Sequence, residues 1–259
     1  MKKLWNIVYA LGSMAVMSCS QYSIHGSTDL EGVDGRMLFL QEVSDNELVK
    51  LDSCDVVHGK FKFNGPLDSI RVVELSLGDN QSFLIPIVLE NGNINVVLTL
   101  QSQKATGTQL NDSLTAFRDR CMQMGMQADE SQRHLYQAYL DGTAGEDTQQ
   151  QLDMMQRHFE QMGERLFTSF ISENFDNCLA PYVFQMATSD FRVPVLEPWI
   201  EALMVNATPT FKNNTYIKEY MKAAAHNRDI MNGMAPPPMP VVPNMPPPPT
   251  PNQLAKPQQ

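Results

Sequence analysis

Two hydrophobic periods divide this chain. Between about residues 22 and 100 the apolar positions alternate. Lys60-Phe61-Lys62-Phe63-Asn64 puts both phenylalanines on one face and both lysines on the other. Val73, Leu75 and Leu77 repeat with the same period, as do Phe83, Ile85, Ile87 and Leu89, then Ile94, Val96, Leu98 and Leu100. A period of two predicts strands with one buried face. His58-Gly59 and Gly78-Asp79-Asn80 read as turns. Asn91-Gly92 predicts a tight hairpin, because both residues tolerate positive φ. About six or seven short strands at this spacing predict an antiparallel β-sandwich or partly open barrel.

From Leu110 the period becomes helical. Leu110, Leu114, Phe117, Cys121 and Met124 form one stripe, with Asn111, Asp112 or Ser113 as the N-cap. A short helix over 129–141 is expected to stop at Gly142. A long helix over 146–174 carries Leu152, Met155, Phe159, Met162, Leu166 and Phe170 at spacings of three and four. Glu146 and Asp147 would sit at its positive end. This near-heptad stripe is short for a coiled-coil dimer and predicts packing within the fold, its methionines serving as core filler. Pro181 and Pro194 suit first turns of later helices, and a last helix is predicted over 213–229.

The ends differ from this body. Lys2 and Lys3 precede an uncharged apolar run over 4–16, too short to span a bilayer. It ends in Val16-Met17-Ser18-Cys19, which resembles a lipobox. This implies a signal peptide over 1–18 and acyl chains (palmitate among them) on Cys19, the first mature residue. Ser20 favours the outer membrane, facing the periplasm. After Met234 proline dominates: Pro236-Pro237-Pro238, Pro240, Pro243, Pro246 to Pro249 and Pro251. Proline lacks the N–H and fixes φ, so 234–259 is expected to be a disordered polyproline II spacer that reaches a protein or cell-wall partner. The whole reads as α+β: a β domain over 19–105, a helical region over 106–233, then the tail.

Charge and cysteines narrow the chemistry. Removal of 1–18 takes two lysines and no acid, leaving 17 basic against 29 acidic residues and a net charge of −12. Such a chain repels phosphate backbones, and no basic stripe suggests nucleic-acid binding. Cys54, Cys121 and Cys178 form no C-x-x-C, so neither a local dithiol nor a zinc ribbon is encoded. They read as buried small hydrophobes, with a Cys121–Cys178 disulfide left open. His25, His58, His134, His158 and His226 show no metal-ligand spacing. Asp52 and Asp55 around Cys54, and Glu197 and Glu201 around Trp199, are weak acid–base candidates. No nucleophile elbow or phosphate loop exists, and no cofactor or catalytic residue is assigned.

Tyr22-Ser23-Ile24-His25-Gly26, Leu38-Phe39-Leu40, Asp52-Ser53 and above all Gly59-Lys60-Phe61-Lys62-Phe63-Asn64-Gly65 carry a resemblance. They resemble the N-terminal β domain of unknown function (DUF4369) of envelope thiol–disulfide interchange lipoproteins. Those proteins continue into a thioredoxin-like domain of the TlpA/ResA type. The likeness extends more weakly through Gly107-Thr108-Gln109-Leu110-Asn111 and Phe170-Ile171-Ser172-Glu173-Asn174. Near Ala235-Pro236, where the family's thioredoxin-like domain begins, this chain turns to proline. The resemblance therefore implies a fold and an envelope address but no catalytic residue. The expectation is a non-enzymatic, lipid-anchored binding or scaffold module; the alternative is an accessory protein to a separate thioredoxin-like enzyme, exchanging thiols through Cys54, Cys121 or Cys178.

Overall fold

The computed structural model describes residues 21–44, 47–78, 82–142, 145 and 147–235. The segment expected to be a signal peptide, with Cys19, and the tail from Pro236 onward lie outside them. No helix among the described residues is long and apolar enough to cross a membrane.

Two four-stranded sheets pack face to face. The first runs β4 (Lys60–Pro66), β1 (Gln21–Thr28), β7 (Gly92–Leu98), β8 (Gln103–Thr106). The second runs β3 (Glu47–Asp55), β2 (Met37–Ser44), β5 (Arg71–Leu77), β6 (Ser82–Leu89). Ile24 sits between Phe63 and Ile94 across the first sheet, and Leu75 between Leu40 and Ile85 across the second. All six side chains are buried in one core. Period-two alternation delivers this core directly: Phe61 and Phe63 face in, while Lys60, Lys62 and Asn64 face solvent. Phe61 lies flat over Gly26, where a Cβ would meet its ring at 2.0 Å. The glycine is the space the ring needs.

The assembly is a partly open sandwich, but not purely antiparallel. β1 pairs with β7 in parallel. The predicted Asn91-Gly92 hairpin is wrong as well. β6 and β7 belong to different sheets, so this turn crosses between layers. Alternation fixes which face of a strand is buried, but not its neighbour. His58-Gly59 does form a two-residue turn, with φ of +51° and +67°, and Val57 and Lys60 exchange both backbone hydrogen bonds. Leu100, expected in the core, lies beyond the end of β7 and is 84% exposed.

β6 is buried on both faces. Ile85, Ile87 and Leu89 fill the sandwich, whereas Val88 belongs to a second core built by the helices. These are α1 (Gln109–Leu140), α2 (Thr148–Glu173), α3 (Leu179–Thr188), α4 (Pro198–Asn206), α5 (Pro209–Asn213) and α6 (Thr215–Met231). Phe184 of α3 is the hub, ringed by Trp199, Phe211, Tyr216 and Tyr220 with centroids 5.1–6.3 Å away. Pro198 and Pro209 take first-turn positions, where no N–H is needed. Pro181 also lies in a first turn, but Pro194 precedes α4 in an irregular stretch. Asn214 caps α6 through the N–H of Ile217, so the last helix begins two residues later than predicted.

The first long helix departs most from expectation. A break before residue 129 was predicted, yet α1 is continuous over 32 residues and ends before Gly142 at φ +67°. Its inner stripe continues as Cys121, Met124, Ala128, Ser131, Leu135 and Ala138, all half-buried. Alanine and serine on that stripe hid the period. The N-cap position is Thr108, and the capping group is borrowed. Glu90, after β6, accepts hydrogen bonds from the N–H groups of Leu110 (2.8 Å) and Asn111 (3.0 Å). A carboxylate there also complements the helix dipole.

Asn111, proposed above as a cap, instead reads the edge of β6. Its Oδ1 accepts from the Val88 N–H at 2.9 Å and its Nδ2 donates to the Val88 carbonyl at 2.8 Å. One side-chain amide thus stands in for a neighbouring strand. Asn111 is 1% exposed, so its removal leaves buried backbone groups unpaired. Asn111→Ala is expected to cost about 3 kcal/mol, read as a lowered urea midpoint. Leu110, next to it and partly buried, should cost less on truncation to alanine.

Candidate functional site

Two surfaces merit the search for function. The first is a cleft of about 650 Å³ between the outer face of the second sheet and α3, lined by Glu42, Arg71, Glu74, Tyr182, Gln185 and Ser189 among others. Arg71 is already committed: Nε lies 2.9 Å from Glu42 Oε2, and Nη1 donates to Asp68 at 2.7 Å and Ser69 at 2.9 Å. The Nε–H itself is not aimed along the Glu42 contact; the charge attraction remains, but the hydrogen bond does not form. Burial raises the Glu74 carboxyl and pushes the Tyr182 phenol up to about 12, against the partial opposition of Arg118. Tyr182 is therefore a neutral phenol at any physiological pH. Among the described residues the cleft holds polar groups but no nucleophile hydrogen-bonded to a base.

The second surface is the pair α1 and α2. Phe117 stacks on Phe170 at 4.3 Å and meets Phe167 edge-on at 5.2 Å. Met124 Cε lies 3.6 Å from where a Gly163 Cβ would be. Leu135 and Leu152 share one recess. As α1 advances, α2 retreats, so the two are antiparallel in steady register. The buried residues of α1 end at Phe117, and those of α2 are Phe170 and Ile171. Every described residue between them is half-buried or exposed. At 1.5 Å per residue, 118–140 of α1 forms an arm about 35 Å long. One helix covers only one side of the other, so the seam of Leu135, Leu152, Met155 and Phe159 remains partly wet.

One flank of this arm forms a groove. On α1 it carries Gly125, Asp129, Gln132, Tyr136 and Tyr139, a stripe of spacing three and four beside the seam, whereas Met122 lines a separate recess with Gln103 and Arg118. On α2 it carries Gln149, Asp153, Gln156, Glu160, Gly163 and Phe167. At the distal end Tyr136, Tyr139, Leu135 and Leu152 surround a recess of about 590 Å³. Tyr136 is 63% exposed and Tyr139 69%. Asp153 and Glu160 accept from Gln149 and Gln156. Neither they nor Asp129 forms an ion pair among the described residues.

The sequence-based candidates scatter. Cys54 sits in β3, Cys121 on the arm and Cys178 before α3; all three are free thiols. Burial pushes Cys54 up to about 11 and Cys178 up to about 12, and raises Cys121 against the pull of Arg118. His58 is in a turn, His134 lies 3.8 Å from Glu130, and His158 rests edge-on against Phe159. Among the described residues no cluster of His, Cys, Asp or Glu could hold a metal. Asp52 accepts from the Ser53 N–H, and Glu201 pairs with Arg228 at 3.2 Å while Glu197 precedes α4, so neither acid pair converges on a substrate. Sequence reading missed the arm's groove. The signal was present in its paired tyrosines and glycines, beside a stripe taken only as core.

Two measurements follow from these environments. Thiol labelling of the folded protein at pH 8 should leave Cys54 and Cys178 unmodified over minutes, and urea should expose all three cysteines. Glu74 has a folded pKa above its unfolded value, so folding favours its protonated form. That stabilisation is present at low pH and lost as pH rises through the folded pKa. Glu74→Gln should therefore raise the melting temperature at pH 7 and leave it unchanged near pH 3, where the carboxyl is already neutral.

Residues 22–114 match the family model of a domain of unknown function, DUF4369. The N-terminal sandwich is thus the DUF4369 domain that its motifs suggested, and the match runs into the first turns of α1. No curated protein matches the chain.

Proposed function

We propose that this protein is a lipid-anchored envelope binding module, held by acyl chains on Cys19 at the outer membrane and facing the periplasm. Recognition is carried by the α1–α2 arm. The observation behind this reading is the contrast between two kinds of apolar surface. The two cores are closed, whereas the arm leaves Met122, Met126, Tyr136, Tyr139, Leu140 and Met154 more than half exposed. Apolar side chains gathered on one projecting element mark an interaction surface. The Tyr and Met enrichment suits an interface centre. In this reading the proline-rich tail is a second contact, with a protein or the cell wall.

The accessory redox alternative has less support. A working thiol needs a lowered pKa and access, and Cys54, Cys121 and Cys178 are all shifted the other way. Among the described residues the cleft at Tyr182 shows no paired groups of the kind a hydrolase would need.

A photo-crosslinking residue placed at Tyr139 in cells should capture a partner, while the same residue at Lys62, on the outer face of the first sheet, should not. Adducts from Lys62 alone would remove the arm from its assigned role. Palmitate labelling should mark the wild-type chain and disappear in Cys19→Ala; persistence of the label would defeat the anchor.

A further inference from the structure

We propose that the α1–α2 groove takes a basic amphipathic helix as a third strand, which completes a three-helix bundle. The inference rests on the reading of the arm as a recognition surface and specifies what that surface recognises.

Three observations select this occupant. The floor of the groove is open where a helix would cross. A Cβ added at Gly125 would meet nothing within 4 Å, and one at Gly163 would meet only the flexible end of Met124. A glycine inside a helix costs about 1 kcal/mol relative to alanine. Gly125 is left open, Gly163 is reached from within the chain only by the end of Met124, and the two stand at one level of the arm. Second, the seam along the floor is apolar and half-covered, ending in the Leu135–Leu152–Tyr136–Tyr139 recess. An extra helix with apolar residues at spacings of three and four would dry this seam.

Third, the rims are acidic. Asp129 stands on the α1 rim, and Asp153 and Glu160 on the α2 rim, with no cation paired to them among the described residues. Arg133 and Arg157 lie one step further round their helices, on the outer side. A helix with lysine or arginine beside its apolar stripe would set positive charge against both rims. A second copy of this arm would oppose acid to acid, and anionic headgroups would be repelled for the same reason. The charge pattern therefore favours a basic helical segment over either.

The probe is a fluorescein-labelled synthetic peptide of about three heptads, with leucine at the core positions and lysine flanking them. Its control carries glutamate in place of each lysine. Fluorescence anisotropy with the full chain should show the lysine peptide binding about tenfold tighter at low salt, with the gap closing as salt rises. Gly163→Leu, which fills the floor, should weaken binding of the lysine peptide at least tenfold while circular dichroism keeps its helical signal. The triple change Asp129→Asn, Asp153→Asn, Glu160→Gln should retain folding and abolish the salt dependence.

Equal binding of both peptides, or unchanged binding to Gly163→Leu, overturns the basic-helix assignment. If sedimentation shows a dimer that Gly163→Leu dissolves, the groove belongs to a second copy; the assignment fails while the arm keeps its recognition role. If Tyr139 crosslinks nothing in cells and the lysine peptide does not bind, both readings fall together.

Discussion

The free edge of β6 is the constraint on which this architecture depends. Its outward-pointing backbone groups at Val88 are buried beneath helices, where an unpaired N–H or carbonyl is costly. Asn111 meets both with one amide, and Glu90 returns the exchange by holding the N–H groups at the start of α1. Thr115 adds a hydrogen bond to the Ala105 carbonyl at 2.6 Å, and Lys104 pairs with Asp119 at 2.8 Å. Sheet edge and helix start therefore satisfy each other. This gives a physical reason for the span of the family match, which runs past the last strand to residue 114. The sandwich without the first turns of α1 would carry an unsatisfied edge.

Burial patterns were legible in the sequence to the extent that period alone determines them. Phe61, Phe63, Val73, Leu75, Ile85, Ile87, Ile94 and Val96 all turn inward as alternation required. Connectivity was not legible. Asn91-Gly92 has the chemistry of a hairpin but serves as a crossing between sheets, because strand pairing is decided by long-range packing. The helix caps were misplaced for a related reason. Asn111 is a strong local cap former, yet a buried strand edge competes for its amide, and Glu90, twenty residues upstream, takes its place. A carboxylate delivered from a distant strand leaves no local signature.

The arm shows a different kind of blindness. Its seam residues were recognised on α2 and assigned to the core, which is correct for Phe170 and only half correct for Leu152, Met155 and Phe159. A periodic stripe reports that one face is apolar; it does not report how many neighbours cover that face. The continuation of α1 through Gly125, Ala128 and Ser131 was hidden because small residues contribute little to an apolar count. Their smallness is also what lets α2 come close and what leaves the flank open.

The continuity of α1 links the sandwich to the tip of the arm. Its first turns are clamped to the sandwich, and its last turns frame the tyrosine recess, with no interruption in the hydrogen-bond ladder between them. Geometrically this is a pointer with its pivot at the sheet edge. Over an arm of about 35 Å, a tilt of about 5° at the pivot displaces the tip by about 3 Å. The lie of Glu90 and Asn111 against one strand therefore sets the aim of side chains several turns away.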